Sequence, residues 1–196
     1  MIWINGAFGS GKTTAAYELH RRLPGSYVYD PEQIGYFIRR NVPETTKIDD
    51  FQDYPMWREM NYSMLRYIDS AYKGQLIIPM TITNPKYFEE IVGKLRGDGI
   101  EIHHFVLFAS RETLLKRLRS RGEGRNSWAA SQIDRCLEGF KDERFEVLLD
   151  TDNLSIDEVV KQIAGMSGVS LAEDSRGRMR KTYDRLLTKL KHINLR

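Results

Sequence analysis

The chain of 196 residues is 41 % hydrophobic and 29 % charged, with one cysteine and a formal net charge of +3. The length suits one domain with a three-layer core, no stretch approaches the ~18 uninterrupted apolar residues of a spanning helix, and the lone Cys136 excludes an internal disulfide. With an apolar run that begins at Met1 and leaves no room for a signal peptide, these features predict a cytoplasmic protein.

Met1–Asn5 reads as a first strand. Gly6-Ala7-Phe8-Gly9-Ser10-Gly11-Lys12-Thr13 follows, and then a helical pattern over Thr13–Leu23, stopped by Pro24-Gly25. Strand, G-x-x-x-x-G-K-T and helix in that order form a phosphate-binding loop. Gly6, Gly9 and Gly11 let the backbone curl so that successive N–H groups, through Ala7, Phe8 and Ser10, point inward. The helix start adds partial positive charge. Lys12 is placed to reach the β- and γ-phosphates of a nucleoside triphosphate, and the Thr13 hydroxyl to hold Mg²⁺.

Ser26–Tyr29 reads as a second strand ending at Asp30-Pro31. Asp30 is placed either as a base that accepts the proton of an attacking hydroxyl or as a turn residue. A mostly helical insert spans about 32–73. It is dense in apolar side chains: Phe37, Phe51, Tyr54, Met56, Trp57, Met60, Tyr62, Met64 and Tyr67. Most are expected in the core, the rest facing an amphipathic acceptor. The third strand, 76–82, ends in Met80-Thr81, not in the metal-holding acid of motor and switch proteins, which points to a small-molecule kinase. A helix over Lys86–Arg96, capped at Asn84-Pro85, leads to a fourth strand, His104–Phe108. Thr81 and Thr83 are expected near the loop, and His103 and His104 at the far end of the sheet in structural roles.

Ser110 caps a helix over Glu112–Arg119 that carries Arg117, Arg119 and Arg121, with Gly122, Gly124 and Arg125 beyond. Arginines beside a flexible segment can close over a triphosphate: Arg117 and Arg121 as a catalytic pair on one face, Arg119 as a nucleotide contact, with Arg135 able to join them. The alternative is a solvated basic helix end. Cys136 is expected to pack. Phe145–Leu149 reads as a fifth strand, and Ser155–Glu158 as a capping box opening a last core helix, 156–164. Five strands alternating with helices predict an α/β P-loop NTPase fold, a parallel sheet wrapped on both faces, with ligands beyond the strands' carboxyl ends.

Residues 1–165 form the expected kinase-like domain, with its insert and a lid at about 117–135. Residues 166–196 form a basic tail with eight Lys or Arg against three Asp or Glu. Met179, Tyr183, Leu186, Leu187, Leu190 and Ile193 recur there at helical spacing. The tail reads either as a peripheral anchor on an anionic membrane or as a terminal helix packed on the sheet with a solvated basic face. No nucleic-acid module is present.

Four stretches together resemble the bacterial tunicamycin resistance family: Trp3–Thr13, Tyr27–Glu32, Glu112–Arg119 and Asn126-Ser127-Trp128-Ala129-Ala130. Asp152–Ile156 extends the likeness nearly end to end. The resemblance implies an ATP site over Gly6–Thr14, Thr14 included, and Asp30 at the position of the kinases' base. It also implies tunicamycin as ligand, a nucleoside antibiotic with a uracil head and an acyl tail, and contact of the C-terminal segment with the membrane. Phosphoryl transfer to the drug, its ATP-dependent sequestration, and a housekeeping kinase with another acceptor all remain compatible with the residues.

Overall fold

The computed structural model describes residues 1–124, 126–145 and 147–192 and, over 189–192, the backbone only. Arg125, Glu146 and Ile193, like the side chains of Lys189, Leu190 and Lys191, lie outside the described residues. Five parallel strands run in the order β2-β3-β1-β4-β5: β1 Ile2–Gly6, β2 Tyr27–Val28, β3 Leu76–Pro79, β4 His103–Phe108 and β5 Leu148–Asp150. Ile2 pairs with Ile77 on one side and His103 on the other. Every residue of β1 is buried, as expected of a strand covered on both faces.

The alternation of β1 divides the core. Ile2 and Ile4 face α1 (Lys12–Arg22) and α9 (Ile156–Met166), meeting Leu19, Val159, Val160 and Ile163. Trp3 faces the other layer with Ile78, Phe88 and Val106. That layer holds α2 (Glu32–Asn41) and α3 (Pro55–Ala71) of the insert. It continues with a helix whose α4 (Pro85–Phe88) and α5 (Lys94–Gly97) are separated by a π-helical turn, Glu89–Gly93, and with α6 (Arg111–Arg119), α7 (Trp128–Ser131) and α8 (Ile133–Gly139).

Three expectations change. The fifth strand begins at Leu148, because Phe145 turns into an aromatic cluster with Phe88, Phe140 and His104. Of the nine apolar residues singled out in the insert, only Phe51, Tyr54 and Trp57 join the core. Met56, Met60, Met64 and Tyr67 are exposed because α3 buries only the face of Trp57, Arg58, Asn61 and Leu65, and Phe37 is exposed because α2 buries that of Gly35 and Ile38.

The tail is the third. α10 (Arg178–His192) packs on α1 through charge. Arg176 donates to Glu18 (2.7 Å), Asp174 (2.9 Å) and Asp184 (2.8 Å), Arg185 to Asp157 (2.8 Å), and Arg21 to the Thr188 hydroxyl (2.7 Å). Glu18, Asp157 and Asp174 bring carboxylate oxygens within 4.8 Å of one another, and Arg176, Lys181 and Arg185 supply the compensating cations. Met179, Tyr183 and Leu186 face solvent, with Met179 88 % exposed. The helix packs on α1 rather than on the sheet, and among its described side chains Lys181 and Arg185 face in, Arg178 and Arg180 stay solvated, and Met179, Tyr183 and Leu186 face out while Leu187 is half-buried.

Candidate active site

The loop after β1 is shaped by steric exclusion. Gly9 sits at φ 85°, and a β-carbon there would come 3.0 Å from the Leu114 carbonyl. One on Gly6 would come 2.5 Å from Ser10 Oγ and 2.9 Å from the Leu107 carbonyl. Ser10 N–H closes the turn on the Ala7 carbonyl (3.1 Å). Beneath it, the Asn5 carboxamide accepts from Gly6 N–H (2.9 Å) and Ile82 N–H (3.0 Å) and donates to the Ile82 carbonyl (2.8 Å). Thr81 Oγ donates to the Gly6 carbonyl (2.7 Å), so the end of β3 supports the cradle.

The residues present fit a bound polyphosphate. α6, α7 and α9 are capped by Ser110, Ser127 and Ser155, whereas α1 has Gly11 at its cap, no side-chain cap and no acid in its first turn. Its first N–H groups and its dipole are left for an external anion. Lys12 is only 8 % exposed, and burial pushes its ammonium below the ordinary lysine range. Ser10 Oγ is buried without a partner. Thr13 and Thr14 open α1, which leaves Thr13 Oγ as the residue that could hold a metal beside the phosphates.

Around Lys12 the fold gathers Glu32, Arg121, Cys136 and Asp30, all close enough to act on its charge. Its Nζ lies 5.2 Å from the centre of the Phe8 ring. Asp30 does fill the turn role: its carboxylate accepts from Glu32 N–H (3.0 Å) and Gln33 Nε2 (3.1 Å) just past β2, near enough to Lys12 to act on its charge. Glu32, held by the Tyr36 hydroxyl (2.9 Å), is a second acid that the motif did not announce. Cys136 is buried with its thiol pushed up by desolvation, and it packs.

The arginines separate by role. Arg117 does not hang over the cradle. It donates to the Ser10 carbonyl (3.3 Å) and to the Thr151 hydroxyl (3.1 Å) and carbonyl (2.5 Å), clamping the loop to the segment after β5. Arg121 turns back toward Lys12 from the turn that follows α6, with burial lowering its guanidinium. Arg119 points the other way, into a groove with Arg111, Leu115 and Asp134, because two residues along a helix is more than half a turn. Arg135 pairs with Asp50 of the insert (3.3 Å). His103 and His104 start β4 opposite Ile2 and Trp3. Burial pushes the His104 imidazole down to about 3; it packs on Phe88, and its Nε2 lies 3.3 Å from Asn5 Nδ2, so it braces the carboxamide beneath the loop.

Beside the loop, the insert and α7 line an open groove of about 660 Å³ bounded by Arg39, Glu44, Lys47, Ile48, Asp49 and Trp128. The Trp128 ring meets Phe8 edge-on at 5.0 Å.

A family model described as AAA domain matches residues 1–143. The tunicamycin resistance protein of Deinococcus radiodurans superposes with a TM-score of 0.76 at 35 % identity, over 88 % of this chain and 98 % of that one. The chain belongs to the AAA domain family and, within it, to the tunicamycin resistance proteins. No curated protein matches. A gluconokinase from Sinorhizobium meliloti 1021 shares the fold at 20 % identity (TM-score 0.61, 85 % of this chain and 91 % of that one). So does the APS kinase CysC of Mycobacterium tuberculosis at 16 % (TM-score 0.60, 85 % and 96 %). The fold of this family member is that of P-loop kinases, which implies a nucleotide on the Gly6–Thr14 cradle.

Asn5, Glu32 and Thr151 of the site carry no motif. Asn5 alone left a trace, as a polar residue closing the strongly apolar strand Ile2–Ile4.

Proposed function

We propose that the protein transfers the γ-phosphoryl group of ATP to a hydroxyl of tunicamycin or a related nucleoside. The observation that carries this reading is the grouping of Lys12, Arg121, Asp30 and Glu32 around the uncapped start of α1, with Phe8 joining Lys12 to Trp128 on the rim of the neighbouring groove. Storage of a drug needs no acid beside the phosphate site.

ATP is the phosphoryl donor; Thr13 would hold Mg²⁺, which would supply charge neutralisation at the phosphates. Lys12, Arg121 and the loop amides bind the phosphates and offset charge that grows in the transition state. Arg117 holds the loop in register through the Ser10 carbonyl, as a positioning residue. The Asp30 carboxylate takes the proton of the acceptor hydroxyl as its oxygen bonds to phosphorus, and ADP departs. The insert excludes water, which suppresses hydrolysis. The test is mass spectrometry after incubation with Mg-ATP and tunicamycin. A product heavier by one phosphoryl group is expected, and drug that binds but is never modified overturns the enzyme reading.

The proposal places the protein at the inner face of the cell membrane. Among the described residues no helix is long and apolar enough to cross it. The outward stripe Met179, Tyr183 and Leu186, flanked by the exposed Arg178 and Arg180, suits peripheral seating on anionic lipid.

A further inference from the structure

We infer that the groove between the 44–49 loop and Trp128 is the subsite for the acceptor's planar base, with Trp128 as its stacking platform. The inference rests on the acceptor being a nucleoside. Three features carry it.

The groove is built. Arg39 bonds the carbonyls of Ile48 (3.2 Å) and Asp49, Ile48 N–H donates to the Tyr54 hydroxyl (2.8 Å), and that hydroxyl donates to the Thr46 carbonyl (3.3 Å). The 46–49 segment that lines the space is thus held by Arg39 of α2 and by the buried Tyr54 at the cap of α3.

The lining matches one chemistry. Trp128 and Ile48 are 38 % and 39 % exposed large apolar side chains that both line the space. Around them stand two cations, Arg39 and Lys47, and two carboxylates, Glu44 and Asp49. A pyrimidine imide edge presents acceptor, donor, acceptor, and so needs donors and a carboxylate side by side, with an aromatic face for the ring. An anionic sugar would need a surplus of cations, which this balanced rim lacks.

The platform is geared to the phosphate site. Trp128 rests on Phe8, and the Lys12 ammonium lies over the same Phe8 ring. One aromatic residue of the loop therefore spaces the base platform from the phosphate-binding lysine. A base on Trp128 would thus sit one aromatic ring away from the phosphate-binding lysine.

Tryptophan emission tests this, since Trp3 and Trp57 are fully buried and Trp128 is the exposed one of the three. Uridine and tunicamycin are titrated into the full chain with an ATP analogue, following emission and heat. Both probes should shift the wild-type emission and leave that of Trp128→Phe unmoved. Trp128→Phe should keep affinity within about threefold, while Trp128→Ala should lose about fivefold to hundredfold. ATP-analogue affinity serves as the fold control. Should Trp128→Ala fail to fold, the wild-type emission response and its loss in Trp128→Phe decide. Tunicamycin binding with no Trp128 dependence overturns the subsite and leaves the drug reading intact. Uridine binding through Trp128 without tunicamycin binding does the reverse. Binding of neither overturns both.

Discussion

Arg176 donates to Glu18 at 2.7 Å, and Glu18, with a side chain 1 % exposed, sits on the helix that begins at Lys12. This pair ties the C-terminal segment to the helix that carries the phosphate site. Deleting the arginine leaves a buried carboxylate with Arg21 and the more distant Arg185 (3.6 Å) as its remaining cations. Breaking a buried pair so that its charge is left uncompensated costs about 3–5 kcal/mol. Because Arg21 stays at 2.9 Å, Arg176→Ala is expected to lower the unfolding free energy by less, roughly 1–3 kcal/mol in urea denaturation. Arg176→Lys should restore only part of it, since a point cation cannot serve Glu18, Asp174 and Asp184 at once. A change below about 0.5 kcal/mol would mean the network is solvent-screened.

The same network predicts an acid transition. Hydrogen bonds from Arg176 hold the Asp174 carboxyl well below the usual carboxylate range, and Asp157 and Asp184 lie lower too. Groups with depressed folded-state pKa contribute stability that is fully present above their unfolded values near 4 and is lost as pH falls through the folded ones. Docking of α10 should thus be constant from pH 7 to about 5 and weaken below about 4. Limited proteolysis after residue 172 across that range measures it; cleavage that is insensitive to pH contradicts the assignment.

Lys12 gives opposite signs for stability and binding. Its ammonium is buried and desolvated, so the empty protein bears a cost that only a bound anion offsets. Lys12→Met should keep or raise Tm without nucleotide, yet weaken ATP binding at least about a hundredfold, as loss of a charge-assisted contact predicts. In the wild type, ATP affinity should fall as pH rises through the lowered lysine pKa, earlier than the ~10.4 of a free lysine. Calorimetry over pH 7–10 reads this directly, and a flat profile over that range would show an ammonium that is not desolvated.

Much of this site was legible because its chemistry is local in sequence. The glycines, Lys12 and Thr13 lie within eight residues, and Asp30 closes a recognisable strand. What was hidden depends on distant partners. Arg117 reads as a lid residue until the Ser10 and Thr151 carbonyls, both remote in the chain, are seen to occupy its guanidinium. Phe145 reads as strand until Phe88 and Phe140 are found around it. Helical periodicity revealed two faces on 178–192, but not that the buried Glu18 draws part of the charge inward. Burial alone would have placed Met179 and Tyr183 in the core.

Asp30 separates chemistry from storage. Its Oδ1 caps the turn by accepting from Glu32 N–H, a bond that an asparagine carbonyl makes equally well, whereas proton transfer needs the carboxylate. Asp30→Asn is expected to leave Tm and ATP affinity within about threefold of wild type and to cut phosphorylated product by roughly a hundredfold to ten-thousandfold. Asp30→Ala loses the turn bond as well and should cost about 1 kcal/mol of stability in addition. If Asp30→Asn protects cells from tunicamycin as well as wild type at equal expression, the carboxylate takes no proton and the protein works by holding the drug.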